Sequence, residues 1–447
     1  MPLERDAGAG VSERIVGYLS ASKGEPAWLW RQRVEAVRAL AAPCVLWAPA
    51  ALAELRLEQL HCYTAPRRVG SLEEVPPAGT TAALLRSLEV SSETAQSLGG
   101  AQAQVDGEVV YRTLEAQWAE AGVVFVDSTR GLTDYGELFR PYFGTVVSRD
   151  ENAFTQLNAA VFSGGAFIHV PAGVKVAMPL KCFMHLQAPR GGQFGRTLIV
   201  LGAGAELTFM EGCTSAARTD PMLHCSVGEF VLGPEARLNY IALQDWTPNV
   251  FNLAILRARL AAGAVVHWID CNLGGRLTMK YPCALLEGEG AAAEAVSIAV
   301  ARGGQHHDSG AKMLHRARDT TSKITSKSVS IGTGRSDYRG LVDMPAAICG
   351  CVNHTECDAL LIDPTSRTDT YPAIHVIGGG NTAQHEATVS RLSAEQIFYI
   401  QQRGLSESAA RSLSVNGFVN NLVERFPLQY SVKIKRLIEL HMAGSVG

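Results

Sequence analysis

Short runs of alternating apolar and polar residues occupy the middle of the chain, from Thr145 to about Ile377. A small-residue turn separates neighbouring runs. It begins at four leucines spaced 31, 28 and 26 positions apart: Leu201, Leu232, Leu260 and Leu286. Alternation of period two predicts strands, and strand–turn–strand units repeating every roughly 20–50 residues are typical of a solenoid. The pattern predicts a β-helix or a stacked sheet over residues 145–377. An ordinary β-sandwich with similar hairpins is the alternative interpretation.

Helical spacing replaces this alternation in the N-terminal segment, residues 1–144. Ser22 and Glu25 fit a capping box, with Pro26 just inside a helix that should stop at Pro43. The stretch from Val69 to Gly100 is rich in Ser, Thr, Ala, Gly and Pro, which predicts a mobile or poorly ordered insert. We therefore expect an α-rich but irregular segment before the strands.

The C-terminal segment, residues 378–447, also shows helical signals. Ser393 and Gln396 form a second capping box, and Gly404 is placed to end that short helix. A further helix is expected from Ser406 through Arg425 and a last one after Pro427. The second helix is expected to bury Leu413, Phe418, Leu422 and Val423. A small helical domain beside a solenoid suits either the capping of the solenoid or the docking of a partner protein.

Composition narrows the function classes. The formal net charge of −3 predicts no global attraction to nucleic acid or membrane surfaces. No apolar leader and no run of about 18 apolar residues is visible, so we expect a cytoplasmic protein without a membrane span. Its ten cysteines are then reduced thiols or ligands. A phosphate-binding loop is absent from the sequence, so nucleotide energy would have to come from a partner.

Candidate metal ligands concentrate near the C-terminal end. Cys349, Cys351, His354 and Cys357 lie within nine residues, and the segment Gln384-His385-Glu386 follows. Thiolate, imidazole and carboxylate are ligand types for iron and zinc. On a straight strand the three cysteines share a face and His354 points away. Cys349 and Cys351 are equally well interpreted as small core residues.

Two other sites are weaker candidates. Cys213 closes a strand pair in Glu211-Gly212-Cys213, and a lone thiol there is usually structural. His306, His307, Asp308 and His315 could bind a metal, but a polar outward face explains them as well.

Ordered motifs along most of the chain resemble the SufB/SufD family of iron–sulfur cluster assembly proteins, and within it the SufB branch. The matching segments run from a helix start at residues 22–28 to the chain end at 444–447. They include 150–165, 192–197, 211–213, 244–246, 280–282, 338–342, 357–358, 385–388 and 401–404. The resemblance implies a right-handed parallel β-helix core between helical segments, in an assembly scaffold rather than an enzyme.

The resemblance also implies roles for individual residues. Cys213 would accept sulfur, and His185, Gln187, Gln244 and Trp246 occupy sulfur-path positions. Cys357, His385 and Glu386 would hold a transient cluster of the 4Fe–4S or 2Fe–2S type, with Cys349 and Cys351 as further candidates. The implied partners are a SufC-type ABC ATPase on the C-terminal helices, SufD or a second copy of this chain, a sulfur donor of the SufS/SufE type, and apo client or carrier proteins.

Several positions depart from the family pattern. His185 and Gln187 replace an Arg and an Asn, Leu256 replaces a Lys, and Gln384 replaces a Glu. An anionic persulfide needs donors or positive charge in a solenoid interior, which His185, Gln187 and Gln244 would then supply.

Two other functions remain open from the sequence. One is a SufD-like structural partner that carries no cluster of its own. The other is a β-helix enzyme acting on polysaccharide, which needs a convergent pair of carboxylates. Asp308, Asp319 and Asp337 show no such pattern.

Overall fold

The computed structural model describes residues 3–40, 49–66 and 98–443. Most of these residues form a parallel β-solenoid of about eight turns, in which the chain passes alternately through two large sheets. Helices flank the solenoid at both ends of the chain. The prediction of a mainly β protein with a parallel β-helix core and helical ends is confirmed.

The strands belong to three sheets. The ten-stranded sheet contains β3 (Gly100–Val105), β4 (Glu108–Leu114), β7 (Leu180–Leu186), β10 (Glu206–Ser215), β12 (Arg237–Trp246), β14 (Val265–Gly274), β17 (Ala292–Ala301), β19 (Thr321–Ser330), β21 (Val352–Leu361) and β23 (Thr382–Arg391). The eleven-stranded sheet contains β5 (Val124–Asp127), β6 (Ala166–Val170), β8 (Gly192–Gln193), β9 (Arg196–Leu201), β11 (Met222–Leu232), β13 (Val250–Leu260), β15 (Leu277–Lys280), β16 (Cys283–Leu286), β18 (His306–His315), β20 (Arg335–Met344) and β22 (Arg367–Val376). The small sheet pairs β1 (Leu3–Asp6) with β2 (Thr64–Pro66).

The repeated turns connect one large sheet to the other. They join β9 to β10, β11 to β12, β13 to β14 and β16 to β17, as the leucine spacing predicted. Each turn contains one residue with a left-handed backbone: Gly204, Glu235, Gly263 and Gly290, with φ between 58° and 69°. Glycine adopts this conformation without a steric penalty, which explains why three of the four turns use it.

The inward faces of the two large sheets share one core, which we call the lumen. Aromatic rings fill part of it: Phe209 packs on Tyr240 with ring centroids 5.8 Å apart, and Phe230 packs on the same ring at 5.1 Å. Trp268 continues this cluster. Because side chains alternate along each strand, one set of positions faces the lumen in every turn and the other faces outward.

The helices are α1 (Glu13–Lys23), α2 (Ala27–Ala39), α3 (Ala116–Glu120), α4 (Ser128–Asp134), α5 (Gly136–Phe139), α6 (Ala153–Val161), α7 (Ala394–Gln401), α8 (Glu407–Val423) and α9 (Leu428–Ala443). Two 3-10 helices, Ala50–Glu54 and Leu57–Gln59, lie between α2 and β2. Within the described parts of the chain, the helices are too short or too polar to span a bilayer.

The C-terminal helices cover the outer face of the ten-stranded sheet. Val419 of α8 and Ile434 and Ile438 of α9 are buried in one apolar cluster with Ile269 and Ile298 of the sheet. The capping box at Ser393 and the break at Pro427 are confirmed. The expected burial of Leu413 is wrong, because 55% of this residue is exposed.

Some predicted boundaries also differ from the structure. Ser22 lies inside α1, which ends at Gly24, so it caps no following helix; α2 begins after Pro26 without a side-chain cap. Solenoid strands continue to Arg391, later than the predicted change at residue 377, and strands are already present before residue 145. Pro43 and nearly all of the predicted insert lie outside the described residues.

Candidate functional site: two thiols in the solenoid lumen

Cys213 lies on the inward face of β10 and is fully buried. Its thiol donates to Glu211 Oε1 over 3.7 Å, and Gln244 Nε2 donates to its sulfur over 4.0 Å. Burial raises the pKa of the Cys213 thiol well above its usual value, and the nearby Glu211 carboxylate raises it further. The thiol is therefore protonated at neutral pH.

Gln244 and Trp246 face the lumen from the strand next to that of Cys213. Gln244 is the register partner of Cys213 on the neighbouring strand and accepts a 2.6 Å hydrogen bond from Asn252 Nδ2. The Trp246 ring lies 4.9 Å from the His224 ring. Trp246 Nε1 and His224 Nε2 are buried and have no hydrogen-bond partner among the described residues. This part of the lumen thus has polar atoms that can bind a small polar guest.

His185 and Gln187 are not brought to Cys213. His185 is the register partner of Thr214, the residue after Cys213, and its Nδ1 lies 2.9 Å from Thr214 Oγ1. It therefore faces the opposite side of the sheet from Cys213. Burial lowers the pKa of His185 to about 4, so the ring is neutral. Gln187 follows the end of β7, where its backbone N–H donates to Asp106.

Sequence reasoning missed the charged side chains of the lumen. Lys280 Nζ lies 2.7 Å from Asp270 Oδ1, and both side chains are buried. Asn272 Nδ2 donates to the other Asp270 oxygen over 2.6 Å. The positive charge of Lys280 partly offsets the rise in the pKa of Cys213. A cation is thus present in the interior, although the cations of the family pattern are replaced at other positions. The sequence signal that could have revealed it is a charged residue at an inward-facing position of a repeated strand.

A continuous row of register partners leads from the neighbourhood of Cys213 to Cys357. The row, which we call the polar row, consists of Glu211, Ala242, Asp270, Ser297, Ser326 and Cys357. Five strand spacings of about 4.8 Å make it roughly 24 Å long. Ser297 Oγ donates to Ser326 Oγ over 2.9 Å, one step before Cys357. The row carries polar groups along the axis of the solenoid, with one alanine.

Cys357 and His385 meet at the last turn of the solenoid. Cys357 Sγ lies 3.2 Å from His385 Nε2, and the His385 ring stacks near Tyr338 with centroids 6.1 Å apart. Burial raises the pKa of Cys357 to about 11, with further contributions from Asp358 and Glu356. Burial lowers the pKa of His385, so its imidazole is neutral and can bind a metal. A thiol and a neutral imidazole fit iron or zinc.

Glu386 does not join this pair within one chain. It is the register partner of Glu356, whereas His385 and Ala387 partner Thr355 and Cys357. Glu386 is exposed and lies on the outward face of the sheet. Its carboxylate can therefore be reached only from outside the lumen.

Cys351 and Cys349, the other two candidate thiols of this segment, are not paired with Cys357 in the structure. Cys351 lies six residues earlier along the chain, which corresponds to roughly 20 Å along a strand. Its sulfur accepts from Thr320 Oγ1 over 3.2 Å and donates to Ala317 O over 3.3 Å. Cys349 lies in the preceding turn and is partly buried. The structure gives neither thiol a place in a shared site with Cys357.

A second potential metal set lies on the outward face of the eleven-stranded sheet. Donor atoms of His306, Asp308 and Asp337 lie within 4.8 Å of one another. Arg339 and Arg335 already pair with the two carboxylates at 2.9 and 2.8 Å. Burial raises the pKa of Asp308. For Asp337, hydrogen bonds from His306 and Arg335 outweigh burial and lower the pKa. The set therefore works as an ion-pair network.

Comparison with known proteins places this geometry in a family. The family model described as SUF system FeS cluster assembly, SufBD core domain, matches residues 184–418, more than half of the chain. The chain belongs to the SufBD family. A model of the SufBD N-terminal region matches residues 99–182. Both assignments agree with the resemblance seen in the sequence, at the level of SufB and SufD together.

Curated relatives support the same assignment. The chain is 38% identical over 441 residues to an iron–sulfur cluster assembly SufBD family protein of Staphylococcus haemolyticus, and the match covers 98% of this chain and 94% of that protein. Proteins of the same description from Staphylococcus aureus and Staphylococcus saprophyticus are 38% and 37% identical over the same length. This SufBD protein is thus a member of the iron–sulfur cluster assembly machinery.

Proposed function

We propose that this SufBD protein is a SufB-type scaffold on which a nascent iron–sulfur cluster is built and then passed to a client protein. The observation that carries the proposal is the Cys357–His385 pair near the exposed end of a lumen that holds Cys213 several turns earlier. The polar row leads from the strand of Cys213 to Cys357. A SufD-like partner without a cluster would need none of these three features.

The two thiols divide the work. Cys213 accepts sulfane sulfur from a persulfide donor, and Trp246 and His224 offer ring nitrogens to the sulfur in the lumen. Cys357 binds iron as a thiolate and His385 through Nε2, with the cluster as cargo of the 4Fe–4S or 2Fe–2S type. Two protein ligands hold a cluster less firmly than four thiolates, which suits transfer to a client.

A partner chain at the last turn completes the site. The edges of β22 and β23 have no further strand among the described residues, and Ile374, Ile377 and Val389 are exposed there. A second copy of this chain or SufD, packed on this end, would be placed to use Glu386. The partner's ligands would then add to Cys357 and His385.

The ATPase partner docks on the C-terminal helices in this proposal. Phe398 and Tyr399 of α7 are 62% and 65% exposed, and Leu413 of α8 is exposed as well. Deleting the helices would uncover the outer face of the ten-stranded sheet, so point variants are the better test. Phe398→Ser with Tyr399→Ser should prevent co-purification of a SufC-type ATPase, and Leu428→Ser, which alters an exposed leucine elsewhere in the same domain, should not.

Two thiol variants crossed with two sulfur sources test the scaffold role. Anaerobic assembly is followed by absorption with iron plus either free sulfide or a persulfide donor. Cys357→Ala should lose the cluster with both sources, whereas Cys213→Ser should lose it only with the persulfide. Cys351→Ala is the matched lumen control and should keep both. Failure of wild type to load with either source would favour the SufD-like function, and full loading of Cys357→Ala would refute the proposed ligand.

A further inference from the structure

Glu211 is the carboxylate that is hydrogen-bonded to the Cys213 thiol, the sulfur acceptor of the proposed function. It lies two residues before Cys213 on the same inward strand face, and its carboxylate oxygen accepts from the thiol over 3.7 Å. Glu211 is itself buried. The scaffold role described above gives this carboxylate no task.

A buried thiol needs a proton acceptor before it can attack sulfur, because the thiolate is the nucleophile. The Cys213 thiol is kept protonated by its surroundings. Burial raises the pKa of Glu211, and the charge of Lys280 lowers it in part. Glu211 is therefore a stronger base than an exposed glutamate, and it already holds the thiol hydrogen bond along which a proton would move.

We propose that Glu211 is the base that takes the Cys213 proton while the sulfur of Cys213 attacks the outer sulfur of a persulfide. This inference rests on the proposed function, in which Cys213 receives sulfur. The sulfur–sulfur bond of the donor breaks, a new one forms on Cys213, and the electron pair leaves with the donor thiolate. That thiolate takes up a proton, so no external oxidant or reductant is needed. When the sulfur moves on from Cys213, Glu211 returns the proton.

The groups around Glu211 set its protonation. Tyr240 donates a hydrogen bond to it, and the charges of Asp270 and Lys280 act on it from the next turns of the solenoid. The thiol of Cys182 on β7 also lies in its field. Asp270 is already paired with Lys280, whereas Glu211 accepts hydrogen bonds from the Cys213 thiol and the Tyr240 hydroxyl. Glu211 is therefore the carboxylate of this cluster that is placed to take the thiol proton. The set facing Glu211 is Cys182, Cys213, Tyr240, Asp270 and Lys280.

The test measures persulfide formation at Cys213 itself. Inorganic disulfide, HSS⁻, is the probe, because it is small and needs no protein docking; its reaction releases HS⁻. Peptide mass spectrometry after alkylation measures the persulfide at Cys213. Cys351 is the internal control, because this lumen thiol is hydrogen-bonded to Thr320 rather than to a carboxylate. Glu211→Gln keeps the shape and removes the base, and Glu211→Asp keeps a carboxylate.

We expect Glu211→Gln to slow Cys213 persulfidation by about 100-fold or more at neutral pH. The ratio of the wild-type rate to the Glu211→Gln rate should shrink as pH rises, because hydroxide then ionises the thiol. The titration of the probe affects both rates equally and cancels in this ratio. Glu211→Asp should recover part of the rate, and Cys351 should not respond. Equal rates in wild type and Glu211→Gln, or the same loss at every pH together with a lower Tm, would overturn the inference.

A separate readout distinguishes this inference from the scaffold role. Glu211→Gln should still load Cys357 with free iron and sulfide, since that route bypasses Cys213. If wild type fails to load, the scaffold role fails while the persulfide rates still report on Glu211.

Discussion

Cys213 and Cys357 face the lumen from the same sheet, but they lie in opposite kinds of environment. Cys213 is enclosed, with Glu211, Asp270 and Lys280 close by. Cys357 lies one turn before the end of the solenoid, beside the neutral imidazole of the last turn, where neighbouring side chains become exposed. The charged side chains around Cys213 can accept and return a proton. The side chains at Cys357 that can bind a metal are a thiol and a neutral imidazole. Burial near charges suits sulfur acceptance, whereas access at an edge suits the loading and release of metal.

Removing the positive charge of Lys280 from the lumen should give the largest loss of stability. Lys280→Met leaves Asp270 charged, buried and without its partner, which should lower the free energy of unfolding by about 3–5 kcal/mol. Lys175→Met breaks an exposed pair with Glu206 at 2.6 Å, and should cost no more than about 1 kcal/mol. Urea unfolding of both variants measures the difference. Adding Asp270→Asn to Lys280→Met should restore most of the loss; no restoration would contradict the pairing.

The open end should respond to pH through one thiol. The pKa of Cys357 is raised to about 11, so the metal-free thiol is protonated in neutral solution and must release a proton to bind. The pKa of His385 is lowered, so the imidazole adds no proton. Cobalt(II) affinity, followed by absorption, should rise about tenfold per pH unit through neutral pH. Cys357→Ala should lose this slope. A pH-independent affinity in wild type would refute the assignment.

Glu386 should matter only when a partner covers the last turn. Glu386→Gln should leave cobalt(II) affinity of the isolated chain within about threefold of wild type, because the side chain faces away from Cys357. In a complex with the partner chain, the same substitution should weaken binding further. A large loss in the isolated chain, measured by the same titration, would show that the strand turns there.

His185 should have the smallest effect. His185→Ala should transfer sulfur from a persulfide donor to Cys213 at the wild-type rate, since the ring contacts Thr214 on the other side of the sheet. Gln244→Leu is the matched change on the lumen side and should slow the transfer. Slowing by His185→Ala equal to that of Gln244→Leu would require a route for sulfur through the sheet.

The spacing of the leucine turns predicted a solenoid, because each turn closes one repeat of the same strand pair. It left a stacked sheet and a sandwich open, and the family resemblance supplied the parallel β-helix. The meeting of Cys357 with His385 also followed from motifs, since the two segments lie one turn apart. The position of His185 could not be predicted in this way. A motif gives the order of residues, but the side of the sheet depends on strand register, and a shift of one residue reverses it.

The Lys280–Asp270 ion pair could not be predicted from the sequence either. The two residues lie on different sheets, and only the closed lumen brings them together. The capping box at Ser22 was wrong for a local reason. Gly24 takes a left-handed conformation and ends α1 there, so the residues that fit a capping box form the end of a helix instead of a beginning.

The two ends of the solenoid also differ in how they stop. At the first turns, β4 and β5 pair antiparallel with their neighbours and are largely buried. At the last turn, β22 and β23 leave parallel edges with exposed side chains. Among the described residues, the exposed open strand edges lie at the last turn, so pairing between chains through these edges alone would join two chains and would not extend into a filament.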